Sequence, residues 1–99
     1  MKQPNIIMVF TDQHNGRVVH AMGDPYVRTP NMDRMAENGV IFENTYCNSP
    51  LCVPSRSSML SGLMPHKTKI FNNAQSLPSD KATFVHSLAA AGYETVLSG

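Results

Sequence analysis

Hydrophobic positions along the chain follow two kinds of spacing in turn, and this alternation predicts strands that are separated by helices. Three short runs rich in β-branched and aromatic residues predict strands, at residues 6–10, 40–46 and 93–97. The first run is apolar throughout, which is typical of a strand buried on both faces of a parallel sheet. Strands that alternate with helices favour an α/β fold.

Three segments between or after these runs carry helix signals. Each has a capping threonine or a first-turn proline at its start and a glycine at its end. In chain order, the start and end residues are Thr29 and Gly39, Pro54 and Gly62, and Thr83 and Gly92. Residues 65–79 predict a loop that contains an extended stretch at 69–71.

Length and composition narrow the classes of protein to consider. The 99 residues, of which 41% are hydrophobic, suffice for one small domain. A net charge of +1 gives no electrostatic basis for binding nucleic acid or a membrane surface. No apolar run approaches the roughly 20 residues needed to span a bilayer, and residues 6–10 are too short for a signal-peptide core. We therefore expect a cytoplasmic protein without nucleic-acid or membrane partners, if Met1 is the native start.

The strongest chemical signal is a cysteine at the start of the second predicted helix. A side chain at that place meets free backbone N–H groups and the positive end of the helix dipole. Arg56, one turn after Cys52, adds a fixed charge with planar donors. Alternatives for Cys52 are a buried structural thiol or a plain thiolate nucleophile. Arg56 could instead form a surface ion pair with Asp12 or Glu43.

Asp12 and Gln13 follow the first predicted strand, and in open α/β sheets ligands collect at the carboxyl ends of strands. A carboxylate beside a side-chain carbonyl offers two oxygen ligands to a hard divalent cation. A helix cap or turn is the plainer alternative for Asp12. The four histidines lack the spacing of metal ligands: His14, His20, His66 and His86.

Residues 52–62, C-V-P-S-R-S-S-M-L-S-G, resemble the signature of the type I sulfatases. The flanking segments occur in the family's order: residues 5–13 are similar to its first strand and metal-binding acid, and residues 29–42 to its T-P-N-x-D-x-x-A-x-x-G-x-x-F motif. Residues 83–95 resemble the helix–strand unit that follows. The resemblance implies an alkaline-phosphatase-like α/β fold, a mixed, mostly parallel sheet flanked by helices, of which residues 1–99 would be an incomplete N-terminal segment.

The resemblance also implies a chemistry. In this family a maturation enzyme oxidises the signature cysteine to Cα-formylglycine, whose gem-diol attacks a sulfate ester beside a divalent metal. The implied roles are catalytic for Cys52 and Arg56, metal-binding for Asp12, Gln13 and Cys52, and substrate-binding for Asn73. Many members have a second aspartate where this chain has Gln13. The lost negative charge weakens the site for Ca²⁺, which is still the metal we expect first, with Mn²⁺ or Mg²⁺ as alternatives.

The sequence thus predicts a sulfatase of the choline-sulfatase-like branch that acts on a small-molecule sulfate ester, with an oligomer possible in the complete protein. A phosphonate monoester or phosphodiester hydrolase is the enzyme alternative, because sulfur and phosphorus esters demand similar charge stabilisation. From another class, Cys47 and Cys52 could form a redox pair or help to hold zinc, although two thiolates make a weak zinc site. The remaining metal ligands and the general acid are expected beyond Gly99, so we expect residues 1–99 alone to be inactive and poorly folded.

Overall fold

The computed structural model describes residues 3–99. The chain divides into two units, the first ending at Thr45 and the second beginning at Tyr46. In chain order, the described elements are the 3₁₀ helix His20–Met22 and the α-helices α1 (Pro30–Glu37), α2 (Cys52–Ser61), α3 (Pro65–Thr68) and α4 (Phe84–Ala90). In this described part of the chain, none of the helices is long and apolar enough to cross a membrane.

A small polar network organises the first unit around the start of α1. Pro30 is the first residue of this helix, as the sequence predicts, and Thr29 precedes it. The Thr29 hydroxyl does not cap the helix. Its Oγ1 accepts a hydrogen bond from the His20 N–H at 2.9 Å and donates to Asp33 Oδ1 at 3.0 Å. Asp33 Oδ1 also accepts from the Ala21 N–H at 3.0 Å, so two side chains join α1 to the 3₁₀ helix.

The end of α1 differs in detail from the sequence prediction. Asn38 is the C-cap residue, with φ −105°, and its side-chain Nδ2 donates to the Arg34 carbonyl at 2.7 Å. Gly39 therefore does not end the helix through a left-handed conformation. A β-carbon at Gly39 would lie 2.9 Å from the Met35 carbonyl oxygen, so this position needs glycine because the backbone passes close by.

In the second unit, α2 packs against α3 and α4. The helix begins at Cys52, slightly before the predicted start at Pro54, and Gly62 ends it in the left-handed region at φ 70°, as predicted. The buried residues of α2 are small: Pro54, Ser57 and Ser58. The buried side of this helix therefore carries little bulk, which lets neighbouring backbone approach closely.

Residues 65–79 contain a short helix that the sequence pattern did not predict. Lys69 ends α3 at φ 63° and ψ 21°, a left-handed conformation that favours glycine. The next residue, Ile70, is buried with 2% of its surface exposed. Farther on, α4 follows Thr83 as predicted, and Gly92 has the left-handed φ of 88° expected of a residue that stops a helix.

The three segments predicted as strands form no strand in residues 3–99. Apart from the half-buried Tyr93, their large apolar side chains are exposed, for example Ile7 at 86% and Leu97 at 99%. A strand of a parallel sheet is stable only when neighbouring strands bind its N–H and C=O groups and helices cover its faces. The described residues supply neither, so they do not confirm the sheet predicted from residues 6–10, 40–46 and 93–97.

Candidate active site

Cys52 is the first residue of α2 and is exposed. Leu51 before it is extended, with φ −112° and ψ 145°, so the chain enters the helix abruptly at the cysteine. Cys47 is exposed as well, and both cysteines are free thiols. This exposure disagrees with a buried structural thiol at position 52 and leaves the sulfur open to an enzyme or a ligand.

A side chain from a distant loop binds the first turn of α2. The N–H of Val53, directly after Cys52, donates to Asn73 Oδ1 at 3.0 Å, across 20 positions of sequence. The next residue, Pro54, has no N–H to donate. Because the first turn of a helix has N–H groups without intrahelical partners, this bond satisfies a donor that would otherwise need water. It also places the amide of Asn73 beside the backbone of the candidate nucleophile.

Arg56 lies one turn after Cys52 within α2, so both side chains project from the same side of the helix. The Arg56 side chain is half-buried, which lessens the screening of its charge by water. The structure thus confirms the helical spacing on which the pairing of Cys52 with Arg56 depended. In the second unit, Cys52 begins α2, Arg56 lies one turn later in the same helix, and Asn73 binds the first turn through Val53.

Asp12 and Gln13 belong to the first unit, where both are exposed in the loop that follows residues 6–10. Gln13 has φ 47°, a conformation that non-glycine residues seldom adopt and that often marks functional loops. A carboxylate next to an amide carbonyl fits the oxygen preference of a hard divalent cation. Within residues 3–99, however, no group of three His, Cys, Asp or Glu side chains could hold a metal. The pair therefore suits part of a ligand set rather than a whole one.

One residue that shapes the site was not singled out from the sequence. Gln75 Oε1 accepts hydrogen bonds from the N–H groups of Phe71 at 2.7 Å and Asn72 at 3.3 Å, and its Nε2 donates to the Lys69 carbonyl at 3.0 Å. These bonds fold the loop that carries Asn73. The only signal in the sequence is the polar run N-N-A-Q after an apolar pair, which indicates a turn but not which side chain builds it.

A cavity of about 580 Å³ lies in the first unit, lined in part by Arg17, Asp24 and Glu43. None of the predicted site residues lines it. Asp24 Oδ1 accepts hydrogen bonds from the N–H groups of Tyr26 at 2.8 Å and Val27 at 3.0 Å. These two bonds, helped by the charge of His20, hold the pKa of the Asp24 carboxyl below its ordinary value. The cavity borders a turn and shows no link to the Cys52 chemistry.

Comparison with known proteins gives one consistent family. The model of the family described as Sulfatase matches residues 4–99. Choline-sulfatase of Rhizobium meliloti (strain 1021) is 37% identical over 97 residues, which cover 98% of this chain and 19% of that protein. N-acetylglucosamine-6-O-sulfatase of Bacteroides thetaiotaomicron is 39% identical over 98 residues, covering 99% of this chain and 18% of that protein. Arylsulfatase K of Homo sapiens is 37% identical over 94 residues, with coverages of 95% and 18%.

The chain spans about a fifth of the length of these curated relatives. No solved structure gives a significant match.

Proposed function

The chain belongs to the sulfatase family, which implies an alkaline-phosphatase-like α/β fold, and from this premise we propose that the complete protein hydrolyses sulfate esters at a site centred on Cys52. The observation that carries the proposal is the place of this cysteine. It is the exposed first residue of α2, in a segment with the family's signature. We further propose that residues 6–10, 40–46 and 93–97 become strands of the family's mostly parallel sheet once the rest of the protein supplies their neighbours.

Cys52 is proposed to be converted to Cα-formylglycine by a maturation enzyme. Support comes from the signature at residues 52–62 and from a thiol that is free and accessible. When present, the hydrated aldehyde supplies one hydroxyl as the nucleophile and a second that lets the sulfate leave, which serine does not offer.

Asp12 and Gln13 are proposed as ligands of the divalent metal, and the resemblance to the family supports the same role for the modified residue 52. Ca²⁺ is our first candidate, and Mn²⁺ or Mg²⁺ are the alternatives, since all three accept the oxygen ligands that this pair supplies. When bound, the metal supplies positive charge that stabilises the anionic transition state.

The chain's own groups have roles at the start of α2. The positive end of the helix dipole favours the negative charge that develops on the transferred group. Arg56 offers a fixed charge and planar donors to sulfate oxygens. Asn73 Oδ1 is engaged by Val53, and the Nδ2 atom of the same amide is proposed to donate to the substrate.

The decisive test measures the mass at position 52 and the activity of the complete protein, produced together with a maturation enzyme. We expect the peptide that contains Cys52 to be about 18 Da lighter than the unmodified peptide, because sulfur and two hydrogens are replaced by oxygen, whereas a disulfide would remove about 2 Da and zinc would add mass. Cys52→Ala is expected to abolish sulfate-ester turnover, and the matched variant Cys47→Ala to retain it. Full activity of Cys52→Ala would refute the proposal.

The substrates that we propose to test follow from the names of the relatives. Choline sulfate is the first substrate to test, with N-acetylglucosamine 6-sulfate as the contrasting one, because relatives named for both activities match nearly the whole chain. A phosphonate monoester or phosphodiester hydrolase is the second candidate, because sulfur and phosphorus esters demand similar charge stabilisation. Turnover of a sulfate monoester and a phosphonate monoester under the same conditions separates the two. The cytoplasmic location stays a prediction.

A further inference from the structure

We propose that Gln75 is a positioning residue for this site. By fixing the shape of residues 69–75, it holds Asn73 against the first turn of α2 and thereby holds the backbone at Cys52. The consequence for catalysis rests on the proposed function above, whereas the consequence for the structure of the helix start does not.

Beyond the buried Ile70, side-chain hydrogen bonds, chiefly those of Gln75, give this loop its shape. The chain turns at Lys69 in a left-handed conformation, and Ile70 is the buried anchor that follows. Beyond Ile70 the loop is exposed, with Phe71 57% accessible. The amide of Gln75 binds backbone groups at residues 69, 71 and 72, which ties the end of the loop to its beginning.

Asn73 lies within the loop that these bonds close. A second side chain supports the turn, since Asn72 Oδ1 accepts a hydrogen bond from the Ala74 N–H at 3.0 Å. Asn73 then reaches α2 through its bond to Val53. Without Gln75, ordering the loop would cost conformational entropy that a single exposed hydrogen bond to Val53 does not offset.

The hydrogen bonds of Gln75 go to the backbone of its own loop, so its effect on Cys52 must pass through Asn73. A double variant of Gln75 and Asn73 can therefore distinguish a positioning role from general stabilisation of the fold. A residue that merely stabilises the fold adds its loss to that of Asn73→Ala. A residue that acts through Asn73 causes no further loss once the Asn73 side chain is gone.

The experiment uses the complete protein with Gln75→Ala, Gln75→Glu, Asn73→Ala and the Gln75→Ala/Asn73→Ala double variant. Gln75→Glu keeps acceptors for Phe71 and Asn72 but cannot donate to Lys69. The matched control is Asn38→Ala, which removes a side-chain hydrogen bond to the Arg34 carbonyl in the first unit. Hydrogen exchange at the Val53 amide and kcat/KM for a sulfate monoester are measured for each.

We expect Gln75→Ala to speed exchange at Val53 about tenfold and to lower kcat/KM about tenfold, the effect of losing one well-formed hydrogen bond at the site. Gln75→Glu should fall between Gln75→Ala and the native protein, and Asn38→Ala should match the native protein. The double variant should lose no more kcat/KM than Asn73→Ala.

Unchanged exchange at Val53 in both Gln75 variants overturns the positioning role, and additive losses in the double variant overturn the route through Asn73. If the native protein turns over no sulfate ester while position 52 is modified, the proposed function fails. The exchange measurement still decides the role of Gln75 in that case.

Discussion

Asn73 has two polar atoms, and its bond to Val53 fixes the direction of both. A backbone N–H can only donate, so the bonded atom must be Oδ1, and Nδ2 points away from Val53. The residue can therefore support the helix with one atom and offer a donor with the other. The sequence suggested only the second role, substrate binding, which stays a prediction.

Asn73→Asp separates the two roles of this residue. Aspartate keeps an acceptor for Val53 at the positive end of α2, so the first turn should remain protected from hydrogen exchange. It loses the donor and places a negative charge toward an anionic ester, so we expect KM to rise about tenfold. The control is Asn31→Asp, which makes the same change on α1 at an amide bonded to Arg34. An unchanged KM in Asn73→Asp would show that the amide does not contact substrate.

We expect Asp24 to make the turn after the 3₁₀ helix sensitive to acid. Backbone hydrogen bonds from Tyr26 and Val27 lower the pKa of its carboxyl in the folded chain. The carboxylate therefore stabilises the turn at any pH above the ordinary carboxyl pKa, and this contribution is lost as pH falls through the lower, folded-state pKa. We expect the protection factors of the Tyr26 and Val27 amides to fall on acidification.

Asp24→Asn is the matched variant, because its amide oxygen accepts the same bonds without titrating. Protection at Tyr26 and Val27 should then be independent of pH through the acid range. Equal acid sensitivity in both proteins would contradict the assignment to Asp24.

Among the elements, those set by local chemistry were predictable. A helix start or end depends on a few adjacent residues, which is why the starts at Pro30 and after Thr83 and the end at Gly62 were predicted correctly. The spacing of Cys52 and Arg56 on α2 follows from the same local geometry. By contrast, α3 is too short to show a period, and it ends at Lys69 rather than at a glycine.

Strands and loop closures depend on groups far along the chain, which no local pattern reveals. Residues 6–10 have a strand's composition but need neighbouring strands to become one. Gln75 was missed for a similar reason, because its role depends on which backbone groups the loop happens to bring within reach.

Lys69 offers a test of the left-handed conformation that ends α3. Its left-handed backbone crowds a β-carbon, so Lys69→Gly should stabilise the complete protein by about 0.5–1 kcal/mol, a gain reduced by the greater freedom of glycine when unfolded. Lys67→Gly, inside α3, is the control and should destabilise by about 1 kcal/mol. Denaturant unfolding measures both, and a loss of stability in Lys69→Gly would contradict the assigned conformation.

For the whole chain, the exposed apolar segments determine how stably residues 1–99 fold on their own. Residues 6–10 and 93–97 leave large side chains in water, and each would need burial to contribute to stability. We therefore expect residues 1–99 alone to bind a dye specific for exposed apolar surface, to show no cooperative thermal transition and to turn over no sulfate ester. The complete protein is the control, and a cooperative melt of the isolated chain would contradict the expectation.

The closure of loop 69–75 by polar side chains has a consequence for adaptation. Since Gln75 and the backbone determine the loop's path, the outward side chain of Phe71 is not required to maintain it. Under the proposed function, substitutions at position 71 should therefore alter the preference for the alcohol part of the ester while leaving the backbone at Cys52 in place.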